Sequence, residues 1–360
     1  MAPYDIAIVG AGIAGASLAA ELAPHASVVM LEAEAQPGYH ATGRSAAFWS
    51  ETYGGPAIQP LTSASRAVLD AGGWLDPLGS LHIGRAADRA AADAFLAEFA
   101  GSGVALAEVD PASFVPGLRS EWTIGIHEPS CAYIDVAGYH AHCLAAARRS
   151  GAGLLTDAGL DHAEYRDGAW TIVAGAHSLT ARLLVNAAGA WADVVAQRAG
   201  VRPIGIRAFR RTLVQLATTP PAPATLPHIS ALDGSLYFKP EAGGRLWVSP
   251  HDEIATDPCD AQPEELDVAI AIDRLEHVVD WRVAALERRW AGLRSFAPDR
   301  LPVYGPADDA PGFFWCAGQG GFGIQTAPAA AALAAALILG RPHPPELDAA
   351  LYTADRFAND

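Results

Sequence analysis

A chain of 360 residues with a net charge of −16 at pH 7, 51% hydrophobic and 18% charged, has the balance of an acidic globular protein long enough to bury a large core. That charge repels a phosphate backbone or an anionic membrane surface, so no nucleic-acid partner is expected. The four cysteines are scattered without a C-x-x-C pair and the twelve histidines contain no H-E-x-x-H, which points to reduced thiols and no metal site.

The chain opens with YDIAIVGAGIAGASLAAELAPHASVVMLE, residues 4–32. An apolar run leads into Gly10-Ala11-Gly12-Ile13-Ala14-Gly15, and small and straight-chain residues follow, which predicts strand, tight turn and helix. Gly10 permits the turn, Gly12 lets a pyrophosphate approach the backbone, and Gly15 lets helix and strand pack without a Cβ between them. A second apolar run ends on Glu32, about twenty residues beyond the glycines, where a dinucleotide fold places an acid on ribose hydroxyls. Taken alone Glu32 would be a solvated strand-end carboxylate; its spacing from Gly10 reverses that. The pattern suits a nicotinamide or a flavin dinucleotide equally.

Residues 33–55 read as a loop, with a Pro37-Gly38 turn and the cluster Thr42-Gly43-Arg44-Ser45, a composition that suits a ligand wall. Ala46-Ala47-Phe48-Trp49 is too apolar to lie in water and is expected to enter the interior. Helical patterns at 61–74 and 88–103 and strand candidates at 81–84 and 123–126 form a separate layer. Nucleotide-fold character returns with a helix over 137–153, strands near 154–160 and 170–173, and a buried strand running into Asn186-Ala187-Ala188-Gly189-Ala190-Trp191, whose small residues let something flat approach. Residues 210–218, 235–240 and 244–250 read as antiparallel strands and 262–281 as one helix. A strand, the glycine turn 318–323 and a helix from about Gln325-Thr326 to Gly340 close the chain.

Two interleaved domains are therefore expected: a nucleotide-binding domain of residues 1–53, 131–206 and 290–360, and a second of 54–130 and 207–289. The longest small-apolar stretch, residues 327–340, is too short to span a bilayer, and the N-terminus enters a strand with no leader pattern. The expectation is a cytoplasmic protein without a transmembrane segment.

The blocks VGAGIAGASLAAEL…VVMLE, GYHATGRSAAFW, LVNAAGAW, WAGLRSFAPDRLPVYG and GQGGFGIQT, in this order, resemble the flavin-dependent D-amino-acid oxidase superfamily, and within it the bacterial D-arginine dehydrogenases, over essentially the whole chain. The resemblance implies FAD, a doubly wound Rossmann-type α/β domain, and a substrate domain built on a mixed or antiparallel sheet with helices. It places Gly10, Gly12, Ile13, Ala14, Gly15 and Glu32 on the adenosine diphosphate part. Thr42, Arg44, Ser45, Ala46 and Ala47 would lie along the pyrophosphate and ring, with Ala188, Gly189 and Trp191 among the cofactor contacts. Gly320, Gly321, Phe322, Gly323, Ile324, Gln325 and Thr326 would approach the flavin pyrimidine, where a helix N-terminus stabilises negative charge.

Arg211 and Arg294 match the family's clamp for a substrate carboxylate, a task suited to a planar fork of donors; Tyr53 and Tyr237 match the tyrosines of that pocket. Three positions depart from the D-arginine enzymes and their covalent relatives. Phe48 replaces a histidine beside the substrate amine. Ser80 or a neighbour, in the acid-free run 77–87, replaces the carboxylate that receives a guanidinium, and Ser295-Phe296-Ala297 lacks the cysteine that carries covalent flavin elsewhere in the superfamily. The expected activity is thus oxidation of a neutral, apolar D-amino acid by an FAD enzyme whose flavin is non-covalent, with Phe48, Trp49, Tyr53 and Tyr237 enclosing the side chain. The alternatives are a secondary amine such as an N-methyl amino acid or D-proline, a 2-hydroxy acid, and a flavin-binding protein without turnover. Oxygen, a quinone or another carrier remains open as electron acceptor.

Overall fold

The apolar run after the N-terminus forms the strand Tyr4–Val9, flanked in parallel by Val28–Leu31 and His177–Asn186. Gly153–Leu155 extends this sheet at one side and Phe313–Ala317 at the other, both parallel. Tyr4–Val9, Val28–Leu31 and Phe313–Ala317 are mostly buried, as an unbroken apolar run requires when helices cover both faces. Ile13–Leu22, Val136–Arg149 and Ala327–Leu339 lie on one face, where Leu18, Leu22, Ala147, Ala330 and Leu333 share one apolar core. On the other face Leu160, Trp170, Val195 and Trp315 share a second core. The structure is a computed structural model that describes residues 3–357; the ends of the expected nucleotide segments, residues 1–2 and 358–360, lie outside the described residues.

The second sheet is mixed. Its order runs from Gln319–Gly320 through Arg282–Phe296, Arg207–Thr219, Arg245–Ser249, Tyr237–Glu241, His228–Ala231, Ser80–Arg85 and Trp122–Glu128 to Ala107–Val109. All pairings along it are antiparallel except that of His228–Ala231 with Ser80–Arg85, which is parallel. The helix Glu265–Glu276 closes its core with Val268, Ala271 and Leu275 against Val214, Leu246 and Phe238. Chain segments thus alternate between two layered cores, the doubly wound α/β unit and the mixed sheet that the sequence led one to expect.

Two elements differ from expectation. Arg282–Phe296 is a single strand paired with Arg207–Thr219 from Arg282↔Thr219 to Phe296↔Arg207, so the boundary expected at residue 289 falls inside it. Residues 284–289 are all exposed, and the strand is specified there by its partner's backbone instead of by apolar alternation. The helix expected over 262–281 covers only Glu265–Glu276.

Candidate active site

At the first turn Gly10 has φ +98°, and a Cβ on Gly15 would run into the Gly10 carbonyl oxygen. The predicted division of labour among the glycines therefore has a steric basis at both positions. Glu32, 8% exposed, accepts from the Ala11 N–H through Oε2 at 2.9 Å and from the Glu34 N–H through Oε1 at 3.0 Å. These bonds fix the carboxylate beside the turn. Thr42 Oγ1 accepts from the Ile13 N–H at 3.0 Å, which fastens the 38–45 loop to the start of the helix. His140, from Val136–Arg149, donates through Nε2 to the Ala11 carbonyl at 2.8 Å, a second fastening that the sequence did not signal.

One continuous cavity runs from this turn to the second sheet. Gly10, Gly12, Ile13, Ala14 and Glu32 line its first part, and Thr42, Arg44, Ser45, Ala46 and Ala47 its flank. Ala188, Gly189 and Trp191 lie along it, as do Gly320, Gly321, Gly323, Ile324 and Gln325. Three expected residues do not border it among the described residues. Gly15 serves the helix–strand contact, Phe322 packs on Ile58 and Phe296, and Thr326, 2% exposed, donates its hydroxyl to the Phe322 carbonyl at 2.9 Å. Gln325 is a tie: its amide oxygen accepts from the Ser50 N–H at 3.3 Å, while its nitrogen donates to the Tyr53 carbonyl at 3.0 Å and to Thr62 Oγ1 at 2.8 Å. Arg44 likewise faces protein: its guanidinium pairs with Asp260 and donates to the Ala261 carbonyl at 2.8 Å. It clasps the loop to the segment between the strand Ile254–Thr256 and the helix Glu265–Glu276.

At the far end the cavity meets Phe48, Tyr53, Arg211, Tyr237 and Arg294. The arginines come from neighbouring strands, with Arg211 opposite Gly292 and Arg294 opposite Phe209. Arg211, 5% exposed, donates through Nε to the Asp252 carbonyl at 2.6 Å, and its ring-face neighbour is Tyr237. Burial, and then the adjacent Arg294 charge, pull the Arg211 pKa down, though a guanidinium stays charged. Arg294 donates to the Tyr53 hydroxyl and pairs with Glu253 at 3.3 Å. Glu253 also meets Arg300 at 2.7 Å and Arg211 at 3.9 Å. Burial alone would raise its carboxyl, yet Arg300, then Arg294 and Arg211, hold it below the ordinary value.

The side-chain enclosure differs from expectation. Trp49 is 1% exposed, donates to the Thr62 carbonyl at 2.9 Å and stacks under Arg66, so it turns away from the cavity. Adjacent residues of a strand point to opposite sides, and in Phe48–Trp49 only Phe48 borders the cavity. Ser80, His82, His228, Ser230 and His251, largely absent from the sequence reading, join the aromatic residues there. His228 lies 4.0 Å from Phe48 and 5.6 Å from Tyr237 between ring centroids. Burial drives its pKa well below the usual histidine value. His251 donates through Nδ1 to the Gly234 carbonyl, and burial with the Arg211 charge pushes it down to about 4. Glu128, wholly buried behind this wall, accepts from Ser50 Oγ at 2.9 Å, Thr52 Oγ1 at 2.7 Å and the Glu51 N–H at 2.7 Å. Glu51 itself accepts from Ser63 Oγ at 2.6 Å and does not line the cavity.

A glycine turn with a strand-end acid, a cavity reaching a second sheet and an arginine pair at its end define a dinucleotide-dependent enzyme class. The sequence model of the DAO family, FAD dependent oxidoreductases, matches residues 5–337, and the chain belongs to that family. Its cofactor is FAD. Glycine oxidase from Geobacillus kaustophilus superposes with a TM-score of 0.83 over 98% of this chain and 98% of its own, at 23% identity. L-proline dehydrogenase from P. horikoshii gives 0.86 over 99% and 98%, at 21% identity. Among curated proteins, the tRNA-modifying bifunctional protein MnmC of Polaromonas sp. (strain JS666 / ATCC BAA-500) is 28% identical over 94% of this chain and 57% of its own length. The hydrogen cyanide synthase subunit HcnC of Pseudomonas aeruginosa is 29% identical over 50% and 41%. This chain therefore spans about half the length of the curated relatives it matches.

The residues present fit FAD. The turn around Gly10 brings backbone to the cavity without side chains, Glu32 retains acceptor capacity for ribose hydroxyls, and the start of the 327–339 helix follows Gly323 to Gln325 on the cavity wall. Among the described residues no cysteine borders the cavity. Nor is any helix long and apolar enough to cross a membrane.

Proposed function

We propose that the chain oxidises a neutral D-amino acid at its α-carbon, giving an imino acid that water hydrolyses to a 2-oxo acid and ammonia. The observation that carries this reading is the arginine pair, Arg211 and Arg294, at the end of the cavity of an FAD-dependent oxidoreductase. FAD, when bound, would supply a two-electron acceptor for the α-hydrogen. Arg211 and Arg294 hold the substrate carboxylate by charge-assisted bonds. Tyr53 and Tyr237 stand beside them and limit how the α-carbon can turn, so catalysis rests on positioning the C–H bond. Phe48 excludes water at the amine end without offering a proton acceptor, and the amine reacts in its neutral form.

Oxidation of an amine is further supported by neighbours of this fold that act on amino acids, the glycine oxidase and the L-proline dehydrogenase above. The D configuration is carried over from the resemblance to D-arginine dehydrogenases. A cationic side chain is disfavoured because the only carboxylates bordering the cavity among the described residues, Glu32 and Glu34, lie at its nucleotide end, and an unpaired buried charge costs several kcal/mol. Anaerobic mixing with paired D- and L-amino acids, following flavin absorbance, tests the reading. Bleaching by neutral D-amino acids is expected. Bleaching only by L-amino acids, N-methyl amino acids or 2-hydroxy acids would refute it.

A further inference from the structure

Two neighbouring strands of the second sheet bring four hydrogen-bonding side chains to one wall of the substrate cavity. Ser80–Arg85 and His228–Ala231 pair in parallel with His228 opposite Ser80 and Ser230 opposite His82. Residues two apart on a strand face the same side, so these four make a two-by-two patch, and all four border the cavity. We propose that Ser80, His82, His228 and Ser230 recognise the substrate's side chain through a neutral group that both donates and accepts, a hydroxyl or a carboxamide. This rests on the amino-acid oxidation proposed above and replaces the apolar side chain expected from sequence.

The wall is polar yet incompletely satisfied. His228 is 2% exposed and meets Ser80 Oγ through Nδ1 at 3.4 Å, while its Nε2 has no hydrogen-bond partner. A buried polar atom left in that state calls for one. Depending on which way the Ser80 hydroxyl points, Nε2 donates or accepts, and a hydroxyl or carboxamide answers either case. Burial disfavours the charged form of the His228 ring. His82 packs at a tilt against Phe95 with its Nε2 turned toward Thr52 at 3.4 Å and Glu128 at 3.8 Å, so its other ring nitrogen takes no part in these contacts. Glu128 is already engaged by Ser50, Thr52 and the Glu51 N–H, so the patch presents no carboxylate to a cation. An apolar side chain would leave His228 Nε2 without a partner, the situation in which a site built for hydrogen bonds rejects its apolar isostere.

The test is anaerobic flavin reduction of the holoenzyme by near-isosteric pairs, D-threonine against D-valine and D-asparagine against D-leucine, with D-aspartate as the charged control. The wild type is expected to favour the polar member of each pair by at least about tenfold in kcat/KM. His228→Phe, which keeps a flat ring between Phe48 and Tyr237, should bring the ratio to about one or below. Ser230→Ala provides a milder variant and should lower the ratio as well, and His228→Gln should retain part of it. Equal ratios in wild type and all variants, or a wild-type preference for D-valine and D-leucine, would overturn the patch while leaving amino-acid oxidation intact. A preference for D-aspartate over D-asparagine would overturn the neutral group. Absence of bleaching by every amino acid would overturn the patch together with the reading beneath it.

Discussion

Replacing Arg294 with alanine removes one fork of the proposed clamp and leaves the other. In the structure the Arg294 guanidinium is shared among the cavity, the Tyr53 hydroxyl and Glu253, so the substrate carboxylate meets only part of its donor set. Hydrogen bonds to charged groups contribute about 1.5–3 kcal/mol each, which corresponds to a rise in KM of roughly 10- to 150-fold. Arg211 stays in place, held by the Asp252 carbonyl at 2.6 Å, and keeps the effect from being total. Arg294→Lys should fall between, since it preserves charge and loses the planar fork. Steady-state kinetics on the best amino acid, beside flavin absorbance to show that FAD is retained, measures this. A KM within about twofold of wild type in an FAD-loaded Arg294→Ala protein would refute the clamp, because no partly buried guanidinium bonded to the substrate can vanish so cheaply.

Denaturation by acid should release FAD intact into the supernatant, since no cysteine borders the cavity among the described residues; flavin remaining on the precipitate would point to a link through another residue, with His40 the first to inspect. Gly15→Ala should destabilise the fold by more than about 3 kcal/mol, because its Cβ meets the Gly10 carbonyl oxygen inside the nucleotide core and a packed interior yields little; a thermal melt within a few degrees of wild type would contradict it. His228 and His251 both have pKa values lowered by folding, so the unfolded chain binds more protons below the unfolded value of about 6.5. Stability should therefore be fully present above that pH and fall on acidification toward pH 4, by up to about 1.4 kcal/mol per pH unit for each histidine kept neutral. His251→Phe should flatten that slope in denaturant titrations across the range.

What the sequence made legible is what it encodes locally. The segment from Gly10 to Glu32 holds strand, turn, helix, strand and acid within one stretch, and each part sits where its residue type demands. Trp49 went astray although the signal was present, since two adjacent strand residues cannot both face one cavity. Arg211 and Arg294 stood out only through resemblance, because an arginine in a strand carries no local mark of its task. The histidine and serine patch was hidden for a different reason. It depends on the register between residues 80–83 and 228–231, a pairing across about 150 residues that no periodicity announces. Glu253 and Glu128 are likewise defined by who meets them, and the strand over residues 282–289 by its partner's backbone.

The order of the strands also bears on how the protein is made. The nucleotide sheet is begun by residues 4–31 but completed by Phe313–Ala317, and its helical face by Ala327–Leu339. Trp290 reaches back to the Arg44 carbonyl at 2.9 Å, and Arg44 to the Ala261 carbonyl. Synthesis delivers the Gly10 turn before residues 313–339, so that turn waits for about 300 further residues before its cradle is closed. Until residues 313–315 are made, Leu184–Asn186 at the end of the His177–Asn186 strand lack their partner, a short open edge of the kind that invites association with other chains. FAD can therefore act as a folding partner only after residues 313–339 have been made.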